Sequence, residues 1–139
     1  MTANKSEARS DAVSAFLLFV EQSRRDYEFS ASEKTRLEAE INDIEHRMEL
    51  ETMTYHERAR LAKELGEKLR QRREAKDTIE ILEPIYKFYL EQKNAPFFNG
   101  LRETLGAMRK IEKKMSTRFY KCKAEAAYIK NGKREDASA

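Results

Sequence analysis

The stretch that decides the fold is ETMTYHE, residues 51–57, which interrupts a long helical pattern. Thr54 and Glu57 have the spacing of a capping box, in which the Thr side chain and the Glu side chain each accept a hydrogen bond from the other residue's backbone amide. A helix is therefore predicted to begin at about residue 55, just after the preceding helix ends. Because so short a turn joins the two helices, we expect them to lie antiparallel.

The residues before this break follow a heptad pattern that is typical of a coiled coil. One row of positions alternates by four and three residues, and no Gly or Pro interrupts residues 7–51. We expect a single helix over about residues 7–51. The row consists of Phe16, Val20, Ser23, Tyr27, Ser30, Lys34, Leu37, Ile41, Ile44 and Met48.

The residues after the break repeat this register in a second helix, expected over about residues 55–93. Pairing residues whose numbers sum to about 106, as an antiparallel hairpin requires, brings Ile41 onto Leu65 and Val20 onto Tyr86, and Tyr27 meets Ile79. Apolar positions then meet apolar positions along most of the hairpin. The predicted row of the second helix is Ala62, Leu65, Leu69, Arg72, Lys76, Ile79, Glu83, Tyr86 and Leu90.

The middle of the predicted seam is polar. Lys34 falls opposite Arg72, and Ser30 falls opposite Lys76. Facing cations in a dry core would be costly, so these groups must be hydrated or paired with neighbouring carboxylates. We favour a structural interpretation, a wet layer that fixes the register, over a ligand site. The neighbouring carboxylates are Glu33, Glu38 and Glu74.

A third helix is predicted over about residues 96–117. The segment IEILEPIYKFYL, residues 79–90, is apolar on more than one face, so it needs a second neighbour, and its Pro84 should kink the helix. We therefore expect an all-α fold of one domain, residues 1–130. The first two helices form a long antiparallel hairpin, and the third helix completes a three-helix bundle with it. Residues 35–72 of the hairpin form a coiled-coil arm, and residues 131–139 form a disordered tail. The face that should cover the hairpin holds Phe98, Leu101, Leu105, Met108, Ile111 or Glu112, and Met115.

Composition limits the environment and the partners. Charged residues make up 38% of the 139 residues, and the charge is uneven, with seven basic and twelve acidic groups in residues 1–53 but eleven basic and five acidic in residues 95–139. The longest apolar run, residues 15–20, is far shorter than the ~20 residues that span a bilayer. The start of the chain does not resemble a signal peptide, and the single cysteine, Cys122, suggests a reducing compartment. We expect a cytoplasmic protein that does not enter membranes.

No pattern in the sequence specifies catalysis or metal binding. The segment HERAR, residues 56–60, begins like the zinc-protease motif HExxH, but Arg60 stands where the second histidine must be. Two histidines and one cysteine make no metal-ligand set, and no Gly-rich phosphate loop is present. We therefore expect no catalytic residue, no metal, no cofactor and no small-molecule substrate.

Two clusters of cations are candidate binding elements. In RKIEKKMSTRFYKCK, residues 109–123, the helix dipole explains part of the enrichment but not the cations after Thr117. Its aromatic pair either closes the bundle or contacts a partner or nucleic acid. For the second cluster, interleaved with acids, a solvated helix face is favoured over phosphate binding. The first cluster comprises Arg109, Lys110, Lys113, Lys114, Arg118, Phe119, Tyr120, Lys121 and Lys123, and the second comprises Arg70, Arg72, Arg73 and Lys76.

Five short segments carry a family resemblance: YHERARLAK at 55–63, RREAKD at 72–77, LEP at 82–84, LGAMRKIEK at 105–113 and RFY at 118–120. With them, residues 10–121 resemble a family of small uncharacterised helical proteins encoded in phages and prophages of Firmicutes. The chain departs from that family after residue 120, where KCK and an Ala-rich extension replace a short Pro-Arg ending. The resemblance implies no activity. It implies a small phage accessory protein, of a class that often binds and redirects host or phage machinery.

These observations predict a non-enzymatic protein that binds a host or phage macromolecule, such as a replication, transcription or defence factor, and modulates or inhibits it. The alternative is a nucleic-acid-binding protein that uses the basic C-terminal helix and tail. The opposite charges of the two ends, with the exposed seam of the arm, also favour a homodimer. If a phage encodes the chain, the expected location is the cytoplasm of the host cell.

Overall fold

Three α-helices make up most of the computed structural model, which describes residues 8–118. They are α1, Ser10–Leu50, α2, Tyr55–Leu90, and α3, Ala95–Ser116, with a short 3₁₀ helix, Gln92–Asn94, before α3. No strand occurs within residues 8–118, and the all-α class is confirmed. The helices begin and end within a few residues of the predicted positions. The predicted tail, residues 131–139, lies outside the described residues.

The turn between α1 and α2 contains the predicted capping box. The Thr54 hydroxyl accepts a hydrogen bond from the Glu57 backbone amide at 3.3 Å. The Thr54 amide in turn donates to Glu57 Oε2 at 3.2 Å. Both amides lie at a helix start, where no intrahelical carbonyl is available to them. The reciprocal pair therefore stabilises the first turn of α2.

The contacts between α1 and α2 show that the two helices are antiparallel, because residues early in one helix meet residues late in the other. The rings of Tyr27 and Tyr86 are stacked with centroids 3.9 Å apart. Nearer the turn, Lys68 Nζ lies 2.6 Å from a carboxylate oxygen of Glu40. The predicted pairing had set Tyr27 against Ile79 instead. Helical side chains lean toward the N-terminus of their own helix, so the tips of long side chains in an antiparallel pair meet beyond the directly facing positions.

The buried row of α1 follows the predicted register in most of the helix but not at its start. From Val20 to Ile44, every member of the predicted row is buried except Tyr27 and Lys34, which are half-buried. Phe16, however, is exposed, and Leu17 is buried in its place. The buried positions Leu17, Val20 and Ser23 are spaced by three residues twice, and this break in the alternation rotates the row by one position.

The predicted row of α2 is at least half-buried at six of its nine positions, whereas Ala62, Leu69 and Leu90 are exposed. The two buried residues of the helix, Leu61 and Ala75, lie one position before predicted members of the row. The predicted row and the observed row share positions 65, 72, 79 and 86. They differ only at the positions between these, where adjacent residues compete for the place that faces α1. The observed row contains the more apolar residue at most of the disputed positions. Its members are Leu61, Leu65, Lys68, Arg72, Ala75, Ile79, Leu82, Tyr86 and Tyr89.

One hydrophobic cluster joins the start of α1, the end of α2 and the first turns of α3. Its centre consists of Leu17, Val20 and Phe98, and the Tyr89 ring meets the Phe98 ring edge-on at 5.0 Å. The segment around Pro84 remains helical and is contacted by both other helices, as its apolar faces predicted. The half-buried residues packed against this centre are Val13, Ile85, Tyr89, Leu101 and Leu105.

The chain divides into two compact units, one up to Leu105 and one from Gly106 onward. The first contains the cluster above, and the second begins within α3. The prediction of a single domain over residues 1–130 stays a prediction. In the second unit, Ile111 and Met115 are 54% and 56% exposed, so the predicted core position of Met115 is wrong. Of the two predicted alternatives, Ile111 and Glu112, the half-buried Glu112 continues the row that alternates by three and four residues from Phe98.

Candidate functional site

The last three turns of α3 present cations that no described acid neutralises. Arg109, Lys110, Lys113 and Lys114 are exposed on the helix, and exposed Arg118 follows it. The ion pairs within residues 8–118 involve none of these five groups. Within residues 8–118, each of these positive charges is therefore without an acidic partner.

The end of α3 does not use these cations to satisfy its backbone. The hydroxyls of Ser116 and Thr117 donate to the Lys113 carbonyl at 2.8 Å and 3.0 Å. The Thr117 amide also donates to that carbonyl, and the Arg118 amide donates to the carbonyl of Met115. Because hydroxyls and amides fill these positions, the lysine side chains are not needed as C-terminal caps.

An apolar row accompanies the cations on α3. Met108 is half-buried, and Ile111 and Met115 are exposed. Their spacing by three and four residues places them on one side of the helix. We call this row and its five cations, Arg109 to Arg118, the α3 surface. The sequence predicted these cations as binding residues and left either Ile111 or Glu112 as the residue that faces the core. The regular alternation of the α3 row, which selects Glu112, was the signal that separates Ile111 from the core.

Four of the predicted binding residues lie outside the described residues. They are Phe119, Tyr120, Lys121 and Lys123. The choice between packing and binding for the aromatic pair therefore stays open. The α3 surface, as defined above, comprises residues within 108–118 alone.

The second predicted cluster of cations is divided by the structure. Arg72 is half-buried, and its Nε donates to Glu38 at 3.2 Å, so it belongs to the contact between α1 and α2. Lys76 is half-buried, whereas Arg70 and Arg73 are exposed. The cluster therefore does not form one continuous cationic surface, and we retain the interpretation of a largely solvated helix face.

In the polar middle of the hairpin, each of two carboxylates forms ion pairs with a cation of α1 and a cation of α2. Glu38 lies 3.9 Å from Lys34 and 3.2 Å from Arg72, so it serves both cations that were predicted to face each other. Glu40 similarly bonds Lys68 at 2.6 Å and Arg36 at 2.7 Å. These two donors, Lys68 first, hold the pKa of the Glu40 carboxyl below its usual value. Both donors favour the charged form of the Glu40 carboxylate where the helices meet.

Glu33 and Glu74, the other predicted partners of the layer, behave differently. Glu33 bonds Arg36 within its own helix, at 2.6 Å, and this hydrogen bond lowers the pKa of the Glu33 carboxyl. Glu74 makes no ion pair with any described residue. Of the three carboxylates, only Glu38 therefore pairs with the facing cations.

The described residues offer no constellation for metal-dependent chemistry. No group of three or more His, Cys, Asp and Glu side chains within residues 8–118 has the geometry to hold a metal ion. His56 is exposed in the first turn of α2, beside Tyr55, and Glu57 serves the capping box. Within the same range, no helix combines the length and the apolar character needed to cross a membrane.

Comparison with models of known protein families, with curated proteins and with solved structures finds no match to this chain. Its function must therefore be argued from its own residues.

Proposed function

We propose that this is a non-enzymatic interaction protein that uses the α3 surface to bind a host or phage macromolecule. The observation that carries the proposal is that four cations on α3, with Arg118 just after it, form no ion pair with any described residue and accompany exposed Ile111 and Met115. Exposed apolar residues framed by charge are typical of protein interaction sites. The partner is a replication, transcription or defence factor whose function is modulated or inhibited by the contact.

A protein partner fits the α3 surface better than a nucleic acid does. Phosphate binding needs cations, but it gives no role to the exposed side chains of Ile111 and Met115. An amphipathic helix that enters a groove uses an apolar row at this spacing as its anchors, and flanking cations then meet an acidic rim. The expected partner surface is an apolar groove bordered by Asp and Glu.

The fold that would present this surface is a three-helix bundle with a projecting arm. The cluster of Leu17, Val20 and Phe98 supports the bundle, since it draws on all three helices. The bond between Lys68 and Glu40 supports pairing within the arm, residues 35–72. A place among phage accessory proteins is proposed from the sequence resemblance and would make a host factor the natural target.

Affinity capture with mass spectrometry, with and without nuclease, tests this function. We expect the wild-type protein to retain one stoichiometric protein after nuclease treatment. The doubly substituted Ile111→Ser/Met115→Ser protein should lose it, and so should Lys110→Gln/Lys114→Gln. Ile81→Ser and Lys63→Gln alter exposed residues of α2 and should retain it. Repeated capture of no stoichiometric protein, or equal capture by all variants, would contradict the proposal.

A nucleic-acid-binding protein is the second candidate, favoured by the concentration of unpaired cations on α3. Affinity for DNA or RNA should then fall steeply with salt, with a slope of about 0.9 in log–log form for each phosphate neutralised. Replacing Lys113, Lys114 and Arg118 by Gln should flatten the slope by roughly two to three. Ile111→Ser should leave it unchanged, which separates this candidate from the first. Absence of binding at low salt would exclude it.

We also propose a homodimer, because the two ends of the chain have opposite charges. Residues 1–53 are acidic and residues 95–139 are basic, and the exposed carboxylates of Asp43 and Glu45 on α1 have no described partner. Opposite charges on two copies attract at low ionic strength. Sedimentation should show a dimer that dissociates with added salt, and a monomer at low salt and high concentration would disprove it.

A further inference from the structure

A cleft of about 260 Å³ lies between α1 and α2. Leu37 and Ala75 form an apolar part of its lining, and both residues are buried. The ring of Phe29, largely exposed to solvent, contributes another part. The polar part of the lining comes from Ser30, Glu33, Gln71, Glu74 and Thr78.

Ser30 has a hydroxyl whose hydrogen-bonding needs the protein does not meet. The residue is only 8% exposed, yet its side chain bonds to none of the described residues. Buried Ser23 shows the usual arrangement in the same helix, since its hydroxyl donates to the Phe19 carbonyl at 2.7 Å. The Ser30 oxygen is not sealed from solvent, so a water or a polar group that enters the cleft can bond it.

The other polar side chains of the cleft are also without partners. Gln71, Glu74 and Thr78 form no side-chain hydrogen bond or ion pair with any described residue, although Arg70 and Arg73 lie nearby on α2. Glu33 is the exception, since it holds Arg36. The lining contains two carboxylates and no cation. Because Arg36 compensates Glu33, the Glu74 carboxylate is the group that favours a positively charged ligand there.

We propose that this cleft binds the guanidinium group of an arginine side chain presented by a partner protein. The guanidinium carries five donors, and the acceptors around it would be the oxygens of Ser30, Glu74, Gln71 and Thr78. Its planar face stacks on an aromatic ring, which exposed Phe29 supplies, and the methylene stem has Leu37 and Ala75 to contact. The cleft is smaller than the ~300–1,000 Å³ of most small-molecule pockets, which suits one side chain.

This site is independent of the proposed function of α3. No residue of the α3 surface lines the cleft. A partner protein carrying an exposed arginine could therefore be held at the hairpin whether or not α3 engages a second surface.

NMR titration of the labelled full-length protein with N-acetyl-arginine amide tests the proposal. Shifts should concentrate at the Ser30, Glu74 and Thr78 amides and at the Gln71 side-chain NH₂. N-acetyl-citrulline amide has the same shape without the charge and should cause no such shifts. Equal shifts with the citrulline probe, or shifts spread over all acidic surfaces, would overturn the proposal. Tighter binding of N-acetyl-lysine amide than of N-acetyl-arginine amide would show that the cleft prefers an ammonium group, and this would overturn the proposed guanidinium site.

Two substitutions in the cleft separate binding from stability. Glu74→Gln should weaken binding of the arginine probe about tenfold, as loss of a charge-assisted hydrogen bond predicts. Ser30→Ala should weaken it several-fold without lowering the Tm, because no internal hydrogen bond is lost. Glu45→Gln, an unpaired carboxylate of α1 outside the cleft, is the matched control and should bind as wild type. Wild-type binding by both cleft variants would disprove the site.

The source of the guanidinium is tested with the same measurement. The capped peptide Gly-Gly-Arg-Gly-Gly should bind at least as tightly as N-acetyl-arginine amide, since a protein segment has to reach the cleft through its backbone. Exclusion of the peptide, with binding of agmatine retained, would show a small-molecule site and contradict a protein partner.

Discussion

Thr54 and Glu57 satisfy each other's backbone amides at the first turn of α2. Thr54→Ala removes the accepting hydroxyl, and we expect the free energy of unfolding to fall by about 1 kcal/mol. Urea denaturation followed by circular dichroism measures this change. Thr52→Ala is the control, because Thr52 is exposed and makes no hydrogen bond to a described residue. Equal effects of the two substitutions would contradict the role of the cap.

Glu40 links acid stability to the contact between α1 and α2. Its carboxyl pKa is lowered in the folded state by Lys68 and Arg36, whereas an unfolded Glu carboxyl titrates at about 4.3. The stabilisation is therefore present above the unfolded pKa and is lost as pH falls through the lower folded pKa. Urea unfolding between about pH 6 and about pH 2 should show this loss. Glu40→Gln should reduce the pH dependence, and Glu45→Gln, which loses no ion pair, should preserve it.

The residue contacts differ in how far the sequence could predict them. The capping box was predictable because both partners lie within one turn of helix, where spacing alone determines the contact. Glu38 was predictable as a partner of the facing cations, because it lies one turn from Lys34. The partner of Glu33 was not, since Arg36 competes for it within the same helix. Nor could the sequence reveal the unpaired Ser30 hydroxyl, which depends on the cleft around it.

The register of α2 can be tested with two leucines on one helix. Leu61 is 4% exposed and Leu69 is 42% exposed, although the sequence had placed Leu69 in the seam. Leu61→Ala should lower the free energy of unfolding by about 2–4 kcal/mol, as a cavity in a packed contact does. Leu69→Ala should cost about 1 kcal/mol or less. Chemical denaturation of both variants provides the comparison, and a larger effect at Leu69 would restore the predicted register.

Heptad patterns predicted the helices themselves better than their rotation. In α2, two rows that differ by one position at every second turn are both compatible with the heptad spacing. Both rows contain Arg72, so this polar residue does not distinguish them. Comparing the disputed positions pair by pair, Leu61 against Ala62 and Ala75 against Lys76, would have chosen the observed row. In α1 the double spacing of three residues around Val20 has no comparable sequence signal, because Phe16 and Leu17 are equally apolar.

Two truncations test which part of α3 the hydrophobic cluster needs. A protein ending at Leu105 retains Phe98 and Leu101, and its Tm should stay within a few degrees of that of the full chain. A protein ending at Asn94 lacks both residues, which exposes Leu17 and Val20, and its Tm should fall by well over 10 degrees, about the effect of losing several kcal/mol. Thermal denaturation by circular dichroism distinguishes them. Equal Tm values for both truncations would show that α3 does not stabilise the cluster.

At the scale of the molecule, the all-α class and the three helices were predictable because few glycines, few prolines and long apolar rows leave little else. The exposure of Ile111 was predictable only from the regular alternation of the α3 row, which selects Glu112. The cations of the α3 surface were identified from the sequence, because charge needs no tertiary context. The identity of the partner has no such local signature, and its chemistry has to be inferred from the surface that receives it.

The short turn capped by Thr54 also affects how the chain reaches its fold. The bond between Lys68 and Glu40 spans 28 residues, and the bond between Arg72 and Glu38 spans 34. Once the first pair is closed, forming the second requires only a few more residues to be ordered, so the added entropy of loop closure is small. We expect the hairpin to fold rapidly by zippering outward from the turn, with the cluster around Phe98 forming last.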